Sequence, residues 1–224
     1  MKEKINIFDY SETILKALKK GVLLTTKAGD TTNTMTISWG ALGIEWAKPV
    51  FTAYVREHRF THELLEQNPE FTINIPMGAF NRKILGMAGT KSGHNMNKIE
   101  ELGVTLEEPE TISVPGIKEL PLTLECRVVY KQRQDPKMIK PEYNEFFYPQ
   151  DVDGSYHDRN RDYHTAYYGE IVDAYISNNR KRAGDRTCSF LILVPDFALR
   201  QFRPGFWGIR WYRNAVFGKW VPEN

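Results

Sequence analysis

Between Arg56 and Thr61 the chain reads REHRFT, which brings two guanidinium groups, Arg56 and Arg59, and the hydroxyl of Thr61 to the start of a short helix that Asn68-Pro69 must end. A guanidinium fork meets two phosphate oxygens at once, and the first turn of a helix offers backbone N–H groups that lack intrahelical partners. This gathering suits a phosphate ester better than any other small ligand. The competing reading is a pair of surface arginines in ordinary weak ion pairs. His58 and His62 lie four apart, but His58 precedes the helix and no third ligand is near, so no metal site is expected. These histidines are read as rim residues or as solvated side chains.

The elements that must position this cluster can be followed along the chain. From Met35 to Gly40, Met35, Ile37 and Trp39 alternate with Thr36, Ser38 and Gly40, the period of a half-buried strand with one packed face and one face of hydroxyls. Trp39 is equally readable as a core side chain or as a ligand contact. After a loop closed by Pro49, a second strand from Val50 to Arg56 delivers the two arginines. Upstream, Ser11 is expected to cap a helix with Ile14, Leu15 and Leu18 on one face and a stop at Gly21. Val22 to Lys27 then forms a strand that Ala28-Gly29-Asp30 folds back on the Met35 strand as an antiparallel hairpin.

Downstream, Phe71 to Ile75 alternates and stops at Pro76, and Asn81 to Ala88 carries one or two helical turns. The loop GTKSGHNMNK follows, then a helical run from Asn97 to Leu102 that ends at Gly103, and a short strand near Val104 to Leu106. Leu122 to Tyr130 and His164 to Ile176 are strongly strand-like. The tyrosine-rich stretch from Asp135 to Asp162 has no sustained period and is read as a surface excursion over the site or over a subunit interface. Within it, DVDGSYHD at Asp151 to Asp158 has its glycine fourth where a calcium loop needs it sixth, and lacks the closing glutamate.

With 224 residues, 41% hydrophobic and 12% aromatic, the chain can build one sizeable core. No run approaches the roughly 18 apolar residues of a membrane span, and the charged start MKEKINIFDYSE carries no signal-peptide segment, so a cytoplasmic protein is expected. Cys126 and Cys188 form neither a disulfide framework nor a CxxC pair. From Asn178 onward nine Lys/Arg stand against three Asp/Glu, so the net +2 of the whole chain leaves residues 1–177 at −4 and no nucleic-acid partner is expected for them. Neither GxGxxG nor GxxxxGK[ST] occurs, and the closely spaced strands point to a mainly β fold with short helices rather than a doubly wound sheet.

Five motifs in order carry a resemblance: N-x-M-T-x-S-W at Asn33–Trp39, R-x-x-R-x-T-H-E-L-L at Arg56–Leu65, N-I-P at Asn74–Pro76, S-G-x-x-x-x-K at Ser92–Lys98 and D-Y-H-x-x-x-x-G-E-I-V at Asp162–Val172. Over residues 5–176 the chain resembles the flavin reductase-like FMN-binding split-barrel family, and within it the flavoredoxin-like members. The resemblance implies an antiparallel Greek-key split β-barrel that forms a homodimer with FMN near the subunit interface. It places Met35, Thr36, Ser38 and Trp39 along the flavin ring and its chain, Arg56, Arg59 and Thr61 at the phosphate, and His58 at the rim. Ser92, Gly93 and Lys98 would serve the phosphate or ribityl chain. His164 matches a histidine beside the nicotinamide of a diffusible NAD(P)H, where it would orient the hydride donor or stabilise charge on the reduced flavin. Without the resemblance, His164 is a capping or edge residue.

The resemblance implies a domain over residues 1–177 and leaves 178–224 as a basic aromatic extension with Trp207, Trp211 and Trp220. That extension reads as an arm around a dimer partner, as a segment for a membrane surface or nucleic acid, or as a stretch unrelated to the family's design. Three functions follow. The first is an NAD(P)H-dependent flavin reductase serving free flavin or another acceptor. The second is an FMN electron carrier reduced by a partner protein, and the third a flavin-binding sensor domain.

Overall fold

The computed structural model describes residues 1–152 and 161–177. Cys188, most of the calcium-like stretch and the whole 178–224 extension lie outside these residues.

After strand β1 (Lys2–Lys4) and a 3-10 turn at Ile7–Tyr10, helix α1 (Ser11–Leu18) turns Ile14 and Leu18 into the core. Ser11 is its first helical residue rather than its cap: the hydroxyl donates back to the Phe8 carbonyl, because the 3-10 turn already supplies the preceding bend. The expected hairpin follows as β2 (Val22–Ala28) and β3 (Thr31–Ile37), with Gly29 at φ 55 in the turn. β3 ends earlier than its alternation suggests. The chain leaves the strand at Ser38-Trp39 and enters β4 (Gly40–Glu45), which pairs with β5 (Lys48–Arg56) in a second hairpin. Pro49 therefore sits inside β5 rather than closing a loop. The turn of this hairpin is Trp46-Ala47, both at positive φ, 50 and 58. Neither residue type announces such a turn.

Helix α2 (Phe60–Gln67) leads to β6 (Glu70–Ile75), and α3 (Lys83–Thr90) and α4 (Lys98–Leu102) follow. Asn97 caps α4 through its side chain, and Gly103 at φ 60 ends it. The short pair β7 (Leu106–Glu107) and β8 (Gly116–Ile117) precedes the long strand β9 (Leu122–Arg133). In the tyrosine-rich excursion, a 3-10 turn at Pro136–Met138 and a helix α5 (Pro141–Phe147) form, the helix started by Pro141 at its first turn. β10 (His164–Ser177) closes the described residues.

All pairings are antiparallel, in the order β3-β2-β6-β9-β10-β5-β4, with β1 added beside the end of β10. The two end strands of this path, β3 and β4, are consecutive in the chain. Laid flat, six inter-strand steps of about 4.8 Å would hold them about 29 Å apart, yet the three peptide units from Ile37 to Gly40 span at most about 11 Å. The sheet must therefore roll until its edges nearly meet without pairing, which is a barrel with a split. Its interior holds Leu24, Phe51, Phe71, Ile73, Leu124 and Tyr167. β2 is buried on both faces: Leu24 points inward while Leu23 packs with Ile84, Ala88 and Val104 under α3 and α4. That outer cluster fixes the α3–α4 loop beside β3.

Candidate functional site

A cleft of about 710 Å³ opens where β3, the start of α2, the α3–α4 loop and the segment before β10 converge. Met35, Arg56, His58, Arg59, Thr61, Ser92, Gly93 and Lys98 all line it, although they come from three separate stretches of chain. Thr36, Ser38, Trp39 and His164 do not. Thr36 donates its hydroxyl to the Leu85 carbonyl at 2.6 Å and so fastens α3 to β3. Ser38 is exposed in the link to β4. Trp39 stacks at 5.0 Å and 34° on the ring of His164 and meets Phe147 edge-on at 5.3 Å. It lies in an aromatic group with Phe147, Tyr148 and His164 outside the cleft lining, because the strand period that would have fixed its side ends at Ile37.

The two expected arginines have different surroundings. Arg56 faces Asp162 at 3.3 Å, and the same carboxylate accepts from the His58 backbone N–H at 3.1 Å and lies 3.2 Å from His58 Nδ1. Burial works against the Asp162 carboxylate, but the His58 N–H and the Arg56 charge outweigh it and hold its pKa below the ordinary value. The Arg56 charge is thereby answered within the protein.

Arg59 and Lys98 make no ion pair among the described residues. The Lys98 ammonium, on a side chain only 4% exposed, donates to the Ala88 carbonyl at 2.9 Å, and Arg59 reaches the Gly89 carbonyl at 3.5 Å. Burial first, and then the Arg59 charge, pull Lys98 down to about 8; burial and Arg56 lower Arg59 in the same way. Asp162 offsets only part of the effect on Arg59, and two partly desolvated cations whose hydrogen bonds go to backbone carbonyls are an unfavourable arrangement that an incoming anion relieves. Thr61 and Ser92, which line the same cleft, add hydroxyls that can donate to an acceptor-only ligand.

Asn33 completes this end and was not among the residues picked out singly from the sequence, although it begins the N-x-M-T motif. Its amide donates to Thr61 Oγ1 at 2.9 Å, with both side chains buried, and this ties β3 to α2. Gly93 presses on the same amide: a β-carbon there would collide with Asn33 Oδ1 and lie 2.6 Å from Phe60 Cδ1. The neighbouring His94 stacks on Phe60 at 4.7 Å and meets Glu63 at 3.2 Å, which ties the loop to α2. Asp162 and Tyr163 also line the cleft, and their signal was likewise present in the D-Y-H motif.

His164 is 6% exposed. Burial and the charge of Arg56 lower it to about 4, with Asp162 offsetting only part of the effect. The imidazole is therefore neutral at ordinary pH.

Comparison with known proteins adds three findings. The sequence profile described as "Flavin reductase like domain" matches residues 16–194. An uncharacterized protein of Archaeoglobus fulgidus is 36% identical over 97 residues, 43% of this chain and 54% of that protein, so the chain spans about half the length of the curated relative it matches. Among solved structures, the flavoredoxin of Desulfovibrio vulgaris (Miyazaki F) superposes with a TM-score of 0.52 at 22% identity, covering 70% of this chain and 69% of that one. The FMN-binding domain of a flavin reductases-like enzyme from Shewanella baltica OS155 gives 0.52 at 18% identity, covering 79% and 77%. At these identities the likeness concerns the fold, an antiparallel split barrel.

Proposed function

The chain belongs to the family described as "Flavin reductase like domain", and from that premise we propose that it binds FMN in the cleft and passes electrons from NAD(P)H through it to free flavin or another acceptor. The observation that carries this reading is the pair Arg59 and Lys98, which lacks carboxylate partners among the described residues and faces Thr61 and Ser92. A phosphate monoester fits that donor set. FMN, when bound, supplies the redox chemistry. Arg59, Lys98, Thr61 and Ser92 hold its phosphate, Asn33 and Gly93 keep loop and helix in register around it, and Met35 forms the apolar wall. His164, neutral and packed against Trp39 outside the cleft lining, is assigned to orienting a hydride donor that reaches past the cleft, rather than to offsetting charge, because it carries no charge of its own at neutral pH.

The test has two parts. The purified protein should be yellow or take up FMN, and it should bind FMN more tightly than riboflavin; equal affinity for the two ligands removes the phosphate site. Anaerobic stopped-flow mixing of the FMN-loaded protein with NADH and with NADPH should then bleach the flavin band. His164→Ala should slow that step by roughly ten- to a thousandfold while FMN affinity stays nearly constant. The second reading, an electron carrier, is favoured by the fold similarity to flavoredoxin. It replaces the first if neither nucleotide reduces the flavin and a reduced partner protein does so quickly.

Two features of the assembly belong to the same proposal. Ile44, Trp46 and Tyr130 are exposed together around the β4–β5 turn, with Trp46 edge-on to Tyr130, and form the face we assign to a second copy of the chain. Sedimentation should give a dimer, and Trp46→Glu a monomer. Residues 1–177 hold every strand described here, so a chain ended at Ser177 should fold and bind FMN. The family match continues to residue 194, which makes a chain ended there the natural control.

A further inference from the structure

The hydrogen bonds behind His164 form a chain in which each donor decides the next. The His164 backbone N–H lies 3.2 Å from the Gln134 side-chain oxygen, and a backbone N–H can only donate, so the Gln134 atom that meets it must be the oxygen. Tyr148 Oη lies 2.8 Å from that same oxygen. An amide oxygen cannot donate, so Tyr148 spends its single proton there. Burial raises the phenol to about 12, which keeps that proton in place. Tyr148 Oη also lies 2.8 Å from His164 Nδ1. With its proton committed, the phenol oxygen can only accept, and Nδ1 must carry the hydrogen. The Gln134 backbone N–H donates to the His164 carbonyl at 2.9 Å, which holds the two residues in fixed register across the sheet.

The ring is neutral for reasons that include its surroundings on every side. Arg56 lies on the paired strand, with Asp162 bound to that guanidinium and Arg59 beyond. A neutral imidazole protonated at Nδ1 has a lone pair at Nε2. That nitrogen has no hydrogen-bonding partner among the described residues, and it is not among the fully buried unpartnered atoms.

We infer that Gln134 and Tyr148 are positioning residues that lock His164 into its Nδ1–H tautomer, so that it meets a ligand only as a hydrogen-bond acceptor through Nε2. The ligand group it takes is a hydrogen-bond donor, N–H or O–H. A carbonyl or an oxyanion finds no hydrogen there. Within the proposed chemistry FMN carries such donors in its ring imide and ribityl hydroxyls, and the nicotinamide nucleotide in its carboxamide and ribose hydroxyls. This last step rests on the flavin reading, whereas the tautomer does not.

The experiment is nitrogen NMR of histidine-labelled protein at pH 7.5, with His164 identified by its loss in His164→Gln. Nδ1 should show the protonated and Nε2 the unprotonated ring-nitrogen signature. Gln134→Leu frees the Tyr148 proton for Nδ1 and should switch the ring to mainly Nε2–H, while Gln134→Glu keeps an acceptor oxygen and should restore Nδ1–H. A wild-type ring protonated at Nε2, or no change in Gln134→Leu, overturns the assignment. Added FMN alone should shift the Nε2 signal if FMN supplies the donor. If the nicotinamide nucleotide supplies it, the shift should appear only when NAD⁺ or NADP⁺ is added to the FMN-loaded protein. Bound FMN with no shift under either addition overturns the acceptor role and leaves the FMN site standing.

Discussion

In the cleft Arg59 and Lys98 form one region, with no carboxylate ion pair among the described residues, whereas the second region is Arg56 held by Asp162 and, outside the cleft lining, a neutral His164 packed against Trp39. Both regions are partly dehydrated, and the same desolvation that lowers Lys98 to about 8 lowers His164 to about 4. The lysine at 8 still keeps most of its charge at pH 7, and the histidine has none. The first region therefore gains most from a ligand that brings negative charge. The second is already satisfied internally, and what it contributes is direction. Affinity should reside in the first and geometry in the second.

The contrast breaks most visibly when Arg59 and Lys98 are both removed. Arg59→Ala with Lys98→Met deletes two charge-assisted contacts of about 1.5–3 kcal/mol each, so FMN affinity should fall by roughly a hundred- to ten-thousandfold while riboflavin barely changes. Calorimetric titration of both ligands checks this. In the wild type the FMN dissociation constant should rise as pH increases through about 8, where Lys98 loses its proton. Lys98→Met should be weak and flat over the same range.

In the neutral region the expected effect is on stability. His164 is lowered from the ordinary value near 6.5 to about 4 in the folded protein, so between those values the unfolded chain binds the extra proton and the folded one does not. The contribution is present in full above about pH 6.5 and is lost as pH falls toward 4, amounting to about 3 kcal/mol. Urea unfolding at pH 7 and pH 4.5 should show a steeper loss for wild type than for His164→Gln. Equal slopes would mean that the ring takes up its proton in the folded state.

A smaller change separates loop placement from charge. Gly93→Ala pushes a β-carbon against Asn33 and Phe60 without altering any charge, an overpacking expected to cost about 1–2 kcal/mol and to weaken FMN roughly tenfold. Bleaching of the bound flavin by NAD(P)H should stay within a few-fold of wild type. The smallest effect belongs to a turn remote from both regions. Ala47→Gly relieves a left-handed residue and should stabilise the fold by about 1 kcal/mol, with FMN binding unchanged.

That turn also shows where sequence reading stops. The β2–β3 hairpin was legible because Gly29-Asp30 suits a tight turn locally, but the β4–β5 hairpin turns on Trp46-Ala47, which have no such preference. Without it, β4 went unrecognised and β3 was extended three residues too far, to Gly40, which put Ser38 and Trp39 in a strand they do not enter. Helix α5 was hidden because its aromatic residues follow no apolar period, and Phe147 is placed by its contact with Trp39. Arg56, Arg59 and Thr61, by contrast, were readable as a unit because one strand end and one helix start place them within six residues.

By itself the sequence determined which residues gather as Arg59, Thr61, Ser92 and Lys98 along the cleft, most of the strands and the family to which the chain belongs, since each rests on near neighbours in the chain or on motifs in a fixed order. Only the tertiary structure decided that Arg56 pairs with Asp162 while Arg59 and Lys98 have no ion pair among the described residues, that Asn33 joins Thr61 to Gly93, and that His164 is buried outside the cleft lining. Charge compensation, close approach and desolvation depend on distances between segments far apart in the chain. Those distances exist only once the sheet has rolled up.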